Sequence, residues 1–222
     1  MRIAKYEKDE FPRLTSCIFR NFSFRISYFL LKYPITPNQI TLAGALLGLI
    51  SIYFFYMGDM LSNIIGSALL FFYMVFDCVD GEIARAKNLS SKQGEFFDIM
   101  HDIIIRSMLY VVLGYATYIR FENILLLFLG IFTAMIFLLN SITAEISKSI
   151  SKKPTPREGS AKLPMVLYYW FIFPFFNSSD FCLILLGLSF FDLAWVFLIV
   201  SGLFSLPRFV FALYFHYKVL KE

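Results

Sequence analysis

Apolar residues run along this chain in blocks too long for the buried stripe of a soluble helix. Such blocks fall at 39–58, 63–86, 95–117, 124–145, 164–189 and 193–215, separated by short polar or charged joints. A helix needs about 20 apolar residues to cross the hydrocarbon core of a bilayer, so each block predicts a span. The fifth holds Pro174 and the polar run "NSSD" at 177–180, and reads either as one span or as an interfacial piece followed by a short span. Residues 12–33 follow a different pattern. Ser16, Arg20, Ser23 and Ser27 share one helical face, while Leu14, Ile18, Phe22 and Phe29 lie opposite with Arg25 among them. That predicts an amphipathic helix lying on the membrane surface. The expected architecture is all-α and polytopic: one membrane domain over 1–222, with the surface helix at 12–33 and a six-helix transmembrane bundle at 39–215.

Composition supports this class. The 222 residues are 59% hydrophobic and 16% charged, Phe alone numbers 28, and the mean hydropathy is +0.69. A soluble domain of this size has too little interior for so much apolar surface. Residues 1–10 are charged, and no short apolar run there ends in a small-residue cleavage site, so no cleavable leader is expected. With six spans, 17 of the 20 Lys and Arg fall on one side, in the N-terminal segment, the 2–3 and 4–5 connections and the C-terminus. By the positive-inside rule that side is cytoplasmic, which places both termini there, in the cell membrane. The net charge of +4 then reflects attraction to anionic headgroups rather than to nucleic acid. Cys17, Cys78 and Cys182 form no CxxC or Cys/His pattern, so neither a disulfide framework nor a zinc site is expected.

Against this background the stretch from Asp77 to Asp102 stands apart, with four Asp and two Glu in 26 residues. At about 100° per residue, Asp77, Asp80, Gly81, Ala84 and Arg85 share one face at the cytoplasmic end of the second span. Gly94, Asp98 and Asp102 recur every four residues at the start of the third span. The joint between them is short, so the two helices are expected to be antiparallel neighbours whose acidic faces meet. Ionised carboxylates at that depth cost several kcal/mol each unless compensated. Arg85 and Arg106 are too few to balance four Asp. Asp oxygens without a Cys or His pattern suit hard divalent cations, Mg²⁺ or Mn²⁺. Two such ions together would clamp phosphate oxygens during an in-line displacement. Gly81 keeps side-chain bulk out of that face, and Gly94 opens the third helix to close approach by backbone or ligand. A wide polar site of this kind suggests a large polar ligand such as a nucleotide.

Asp77-x-x-Asp80-Gly81-x-x-Ala84-Arg85, eight further residues, then Gly94-x-x-x-Asp98-x-x-x-Asp102 resembles the signature of the CDP-alcohol phosphatidyltransferases. The segment "PITPNQITLAG" at Pro34–Gly44 is similar to the lead into the first span of those enzymes. The resemblance covers most of the chain and weakens after about residue 150. It implies transfer of a phosphatidyl-type group from a CDP-linked lipid donor to the hydroxyl of a polar alcohol acceptor, with release of CMP. Carried over by position, Asp77, Asp80, Asp98 and Asp102 would hold two divalent cations, and Asp102 would also be the catalytic general base. Asp77, Asp80, Gly81, Ala84, Arg85, Gly94, Asn38 and Thr41 would form the CDP site. The resemblance also implies a homodimer.

The acceptor is less marked. Glu82, after the Asp-Gly pair, is similar to members that use inositol phosphates. Arg106 continues the Asp98–Asp102 stripe, and Arg208 lies in the last span. Arg residues inside the membrane are functional candidates by default. With Lys148 and Arg157 they are the candidate pocket for an acceptor phosphate. A phosphorylated polyol, inositol phosphate or glycerol 3-phosphate, is the favoured acceptor; inositol or serine stays open. Ser179 stands where some inositol-phosphate-using members carry Arg. A divalent-cation transporter is the rival class, but the Asp residues sit at the ends of spans rather than at mid-depth.

Overall fold

The computed structural model describes residues 14–151 and 180–221. Among them are seven helices: α1 Leu14–Leu30, α2 Pro37–Met57, α3 Met60–Ala86, α4 Lys92–Phe121, α5 Ile124–Ser151, α6 Asp180–Phe190 and α7 Ala194–Lys221. Arg157, Pro174 and Ser179 lie outside the described residues, as does the side chain of Lys148.

Local chemistry sets the boundaries. Pro37 occupies the first turn of α2, where its missing N–H is no loss, and the Thr36 N–H is taken by Gln39 Oε1 at 3.0 Å. Gly58 stops α2 in the left-handed region at φ 75°. Asp59 then caps α3 by accepting from the Ser62 N–H at 3.0 Å. Those bonds hold the Asp59 carboxyl below its ordinary pKa. Ser91 caps α4 by accepting from the Gly94 N–H at 3.0 Å.

Among the described residues, four helices are long and apolar enough to cross a membrane: α2, α3, α5 over Ile124–Ser147 and α7 over Ala194–Tyr214. α4 occupies the place of the third predicted span. It is long, but Lys92, Glu95, Asp98, Asp102 and Arg106 crowd its first four turns. For the predicted span at 164–189, only α6 from Asp180 onward lies within the described residues, and the apolar part Phe181–Phe190 is short. The protein is therefore a polytopic helical membrane protein in which four helices meet both the length and the hydropathy expected of a span.

α2 packs along α3 and also touches α4, whereas α3 and α4 scarcely approach one another within 8 Å between Cα atoms. The two helices meet instead through their side chains, Asp77 with Asp98 and Tyr73 with Asp102. α2 wedges between them through glycines: a Cβ at Gly48 would lie 2.5 Å from Ile105 Cδ1 on α4 and 3.2 Å from the Tyr73 ring on α3. Below the wedge, Ser51 Oγ donates to the Gly66 carbonyl at 2.7 Å. α5 closes on α4 at Gly114 and Gly130, and α7 packs on α5. The core gathers Phe55, Leu70, Val75, Val79 and Ile83 with Leu185, Phe197 and Leu198, all fully buried.

The polar face of α1 has a protein partner. Ser23 and Ser27 are buried, while Phe22 and Phe29 are exposed. Their hydroxyls donate to the two oxygens of Glu82 on α3, at 2.7 and 2.6 Å, and Phe19 stacks on Phe71 with centroids 4.8 Å apart. In a bilayer the apolar face is the one that can be left outside, so the polar stripe turns inward to a partner.

Candidate active site

α3 delivers Asp77, Asp80, Gly81, Ala84 and Arg85 to one end of the bundle, and α4 delivers Gly94, Asp98 and Asp102 to the same end. Although α2 packs against both helices, side chains from α3 and α4 meet across this end of the bundle. Asp77 and Asp98 each place a carboxylate oxygen, and His101 a ring nitrogen, within 4.8 Å of one another. Asp98 Oδ1 is buried with no hydrogen-bond partner. Two carboxylates and an imidazole around an unsatisfied buried oxygen form a donor set that fits a hard or borderline divalent cation.

The other two Asp are held differently. Asp80 is buried, and its Oδ2 accepts from the Thr41 hydroxyl at 2.6 Å. Asp102 Oδ1 accepts from Arg106 Nε at 2.7 Å and from the Tyr73 hydroxyl at 3.2 Å. The four predicted Asp are thus brought to one site, but in separate settings. Asp77 and Asp98 face each other, Asp80 is tied to α2, and Asp102 is tied to a buried Arg.

The start of α2 is aligned with this site. Lys87, just past α3, donates from Nζ to the carbonyls of Tyr33 and Ile35 at 2.8 and 2.7 Å. That fixes the approach to Pro37 and so the placement of Asn38 and Thr41. Asn38 is exposed, and a Cβ on Gly94 would come within 3.7 Å of its Oδ1. A Cβ on Gly81 would meet only the guanidinium of Arg85, at 3.2 Å, which is the far end of a flexible side chain. Packing against the described backbone does not require glycine there.

The predicted acceptor residues separate. Arg106 is buried, paired with Asp102, and lies near the rings of Phe137 and Phe181, with centroids 5.8 and 5.2 Å from its Cζ. Arg208 is buried on α7 and borders, with Thr133, Phe137, Asn140 and Ser205, a void with room for about one water molecule. Asn140 Oδ1 is buried with no hydrogen-bond partner. Phe137 belongs to both sites, so the Arg208 void adjoins the Arg106–Asp102 pair.

Residues 34–206 match the family model for CDP-alcohol phosphatidyltransferase. The chain belongs to that family. Among its relatives is an archaetidylinositol phosphate synthase from Pyrococcus horikoshii, 38% identical over 74 residues, covering 33% of this chain and 38% of the relative. Another is a bifunctional IPC transferase and DIPP synthase from Thermococcus kodakarensis, 34% identical over 98 residues, covering 44% of this chain and 22% of the relative. The match therefore spans well under half the length of either curated relative. A crystal structure of phosphatidylinositol phosphate synthase from Mycobacterium tuberculosis with CDP-DAG bound superposes with a TM-score of 0.50. It covers 85% of this chain and 92% of that one at 20% identity, a likeness of fold.

This family member carries three site residues that spacing alone did not bring forward. His101 was set aside because only two His occur in the chain, far apart; its signal was the i,i+3 step from Asp98. Tyr73 lies one turn before Asp77, a position that no motif marks. Glu82 drew notice only through resemblance, and its carboxylate accepts from Ser23 and Ser27 of α1.

Proposed function

We propose that this protein transfers a phosphatidyl-type group from a CDP-linked lipid to the hydroxyl of a polar alcohol and releases CMP. The observation that carries this reading is the Asp77, Asp98 and His101 cluster standing beside Asp102 within one family motif. Divalent cations held there would neutralise pyrophosphate charge and stabilise the departing CMP. The chain's own residues do the rest. Gly81 and Ala84 leave the α3 face open to the nucleotide, Asn38 and Gly94 border it, and Arg85 supplies a flexible cation at its edge. Asp102 accepts the acceptor's hydroxyl proton while the new O–P bond forms and the bond to CMP breaks. A base so placed is worth roughly 10²–10⁴-fold in rate. Asp80, anchored to Thr41, keeps the α2 edge of the site fixed and stands ready as a further oxygen ligand.

The acceptor favoured is a phosphorylated polyol. Arg208 and Arg106 both border Phe137, and a buried guanidinium suits a phosphate. The name of the Pyrococcus relative, archaetidylinositol phosphate synthase, points the same way. An uncharged acceptor, inositol or serine, is the second reading, favoured by the amide of Asn140, which borders the same void as Arg208. The lysine and arginine distribution puts the site at the cytoplasmic face of the cell membrane. Pairing into a homodimer completes the proposal, and the mass of the purified particle in detergent tests it.

The experiment is CMP release by purified protein with CDP-diacylglycerol and Mg²⁺ or Mn²⁺, offered inositol 1-phosphate, inositol, glycerol 3-phosphate or serine. Inositol 1-phosphate is expected to give the fastest release. EDTA is expected to stop it and either cation to restore it; a rate that survives EDTA sinks the metal reading. Arg208→Ala is expected to raise KM for the phosphorylated acceptor on the order of 10- to 100-fold, the loss of a charged hydrogen bond, with KM for the donor little changed. An unchanged acceptor KM removes Arg208 from the pocket.

A further inference from the structure

Asp102 is engaged at one oxygen only. Arg106 Nε and the Tyr73 hydroxyl both donate to Oδ1, at 2.7 and 3.2 Å, from two different helices. Each donor is itself immobilised. Tyr73 is fully buried, and its ring stands edge-on to His101 with centroids 5.6 Å apart. On another side α2 presents Gly48, where a Cβ would come within 3.2 Å of that ring. Arg106 is buried with the rings of Phe137 and Phe181 beside its guanidinium, contacts that restrict its freedom to swing.

The placement follows from helix spacing. Tyr73 is one turn before Asp77 on α3, and Arg106 is one turn after Asp102 on α4. The helices run in opposite senses, so both residues lie one turn deeper in the bundle than the carboxylates. They form a polar floor beneath the acidic site. An Arg at that depth needs a reason, and a core aromatic in place of Tyr73 would pack equally well without its hydroxyl.

From this we infer that Tyr73 and Arg106 are positioning residues for the transfer reaction. They occupy Oδ1 of Asp102 and so reserve Oδ2, at a fixed angle, as the oxygen that takes the acceptor's proton. The inference rests on the reading of Asp102 as general base, and it assigns Arg106 to Asp102 rather than to the acceptor phosphate. Tyr73 has no role in the family signature and enters through geometry alone. Rotation of the carboxylate about its last bond is what the two donors together prevent; one donor alone leaves a hinge.

Tyr73→Phe removes one oxygen atom and keeps the packing. In the CMP-release assay it is expected to lower kcat about 10- to 100-fold, as a misaligned group does, with KM for donor and acceptor and the midpoint of thermal unfolding little changed. Arg106→Lys is expected not to restore the rate, because an ammonium lacks the flat guanidinium beside the rings. In an Asp102→Asn background, Tyr73→Phe is expected to cause no further loss of the residual rate, since both changes act through one carboxylate. A Tyr73→Phe enzyme with full kcat, or one whose loss is confined to KM or adds fully to that of Asp102→Asn, overturns the positioning role while leaving the base in place. An Asp102→Asn enzyme with full kcat overturns the base assignment and the positioning role together.

Discussion

Asp98→Ala is expected to lower CMP release by on the order of 10³-fold or more while leaving the protein folded. The two halves of that expectation come from the same geometry. Asp98 faces Asp77 across the α3–α4 gap, with its Oδ1 buried and unpartnered. Two carboxylates so close repel one another whenever no cation lies between them. Removing one relieves the repulsion, and Ala is also the better helix former. Without added metal the variant should therefore unfold at an equal or higher temperature than the natural protein, and added Mn²⁺ should no longer raise its midpoint. An active site built at the expense of stability behaves in this way. If the variant kept a tenth of its rate, the cluster would not be where the chemistry happens.

Gly130→Leu is the change expected to hurt the fold most. A Cβ at Gly130 would lie 2.6 Å from the Tyr110 carbonyl oxygen and 2.7 Å from Gly114 Cα; one at Gly114 would lie 2.9 Å from Gly130 Cα. All of these are backbone atoms on the facing helix, so no side chain can turn aside. In a membrane, where helices gain little by hiding apolar surface, close backbone approach is a main source of association. The loss should reach or exceed the roughly 1–3 kcal/mol usual for overpacking. Arg106 lies about two turns from Gly114, and Phe137 about two turns from Gly130. Spreading this crossing therefore draws the Phe137 ring from beside Arg106 and releases Asp102. The check is the yield of monodisperse protein in detergent and its thermal midpoint. Gly187→Leu is the control: among the described residues nothing lies within 4 Å of a Cβ there, and the variant should behave as the natural protein. Equal behaviour of the two variants would mean the α4–α5 crossing is not tight in solution.

Much of this was open to reading from the chain. Apolar length placed α2, α3, α5 and α7 within a few residues, because a bilayer asks only for length and greasiness. The acidic set was legible because Asp at steps of three and four must share a helix face. What sequence could not supply was the third helix in each contact. That α2 stands between α3 and α4 depends on Gly48 meeting Ile105 and Tyr73, and no periodicity within α2 announces a partner on two sides. The roles of Tyr73 and His101 are cross-helix facts of the same kind. Spacing along α4 made Arg106 a neighbour of Asp102, but the Phe137 and Phe181 rings that hold it come from α5 and α6. For α1 the two faces were legible, but not that the polar one meets Glu82 of α3 rather than water. A pattern of polar and apolar residues says which faces differ; only the surroundings decide which one is outside.

The clamp between α1 and Glu82 bears on where this enzyme can be cut. The stretch shared with its family begins at residue 34, beyond the end of α1. By homology alone, 34–206 would look like the modular unit. Trimmed to that boundary, the chain would lose both hydroxyls that satisfy Glu82, two residues after Asp80, and would bare Phe71 where Phe19 had covered it. The inherited core is thus narrower than the cooperative one: in this protein α1 has been annexed to the catalytic end of the bundle.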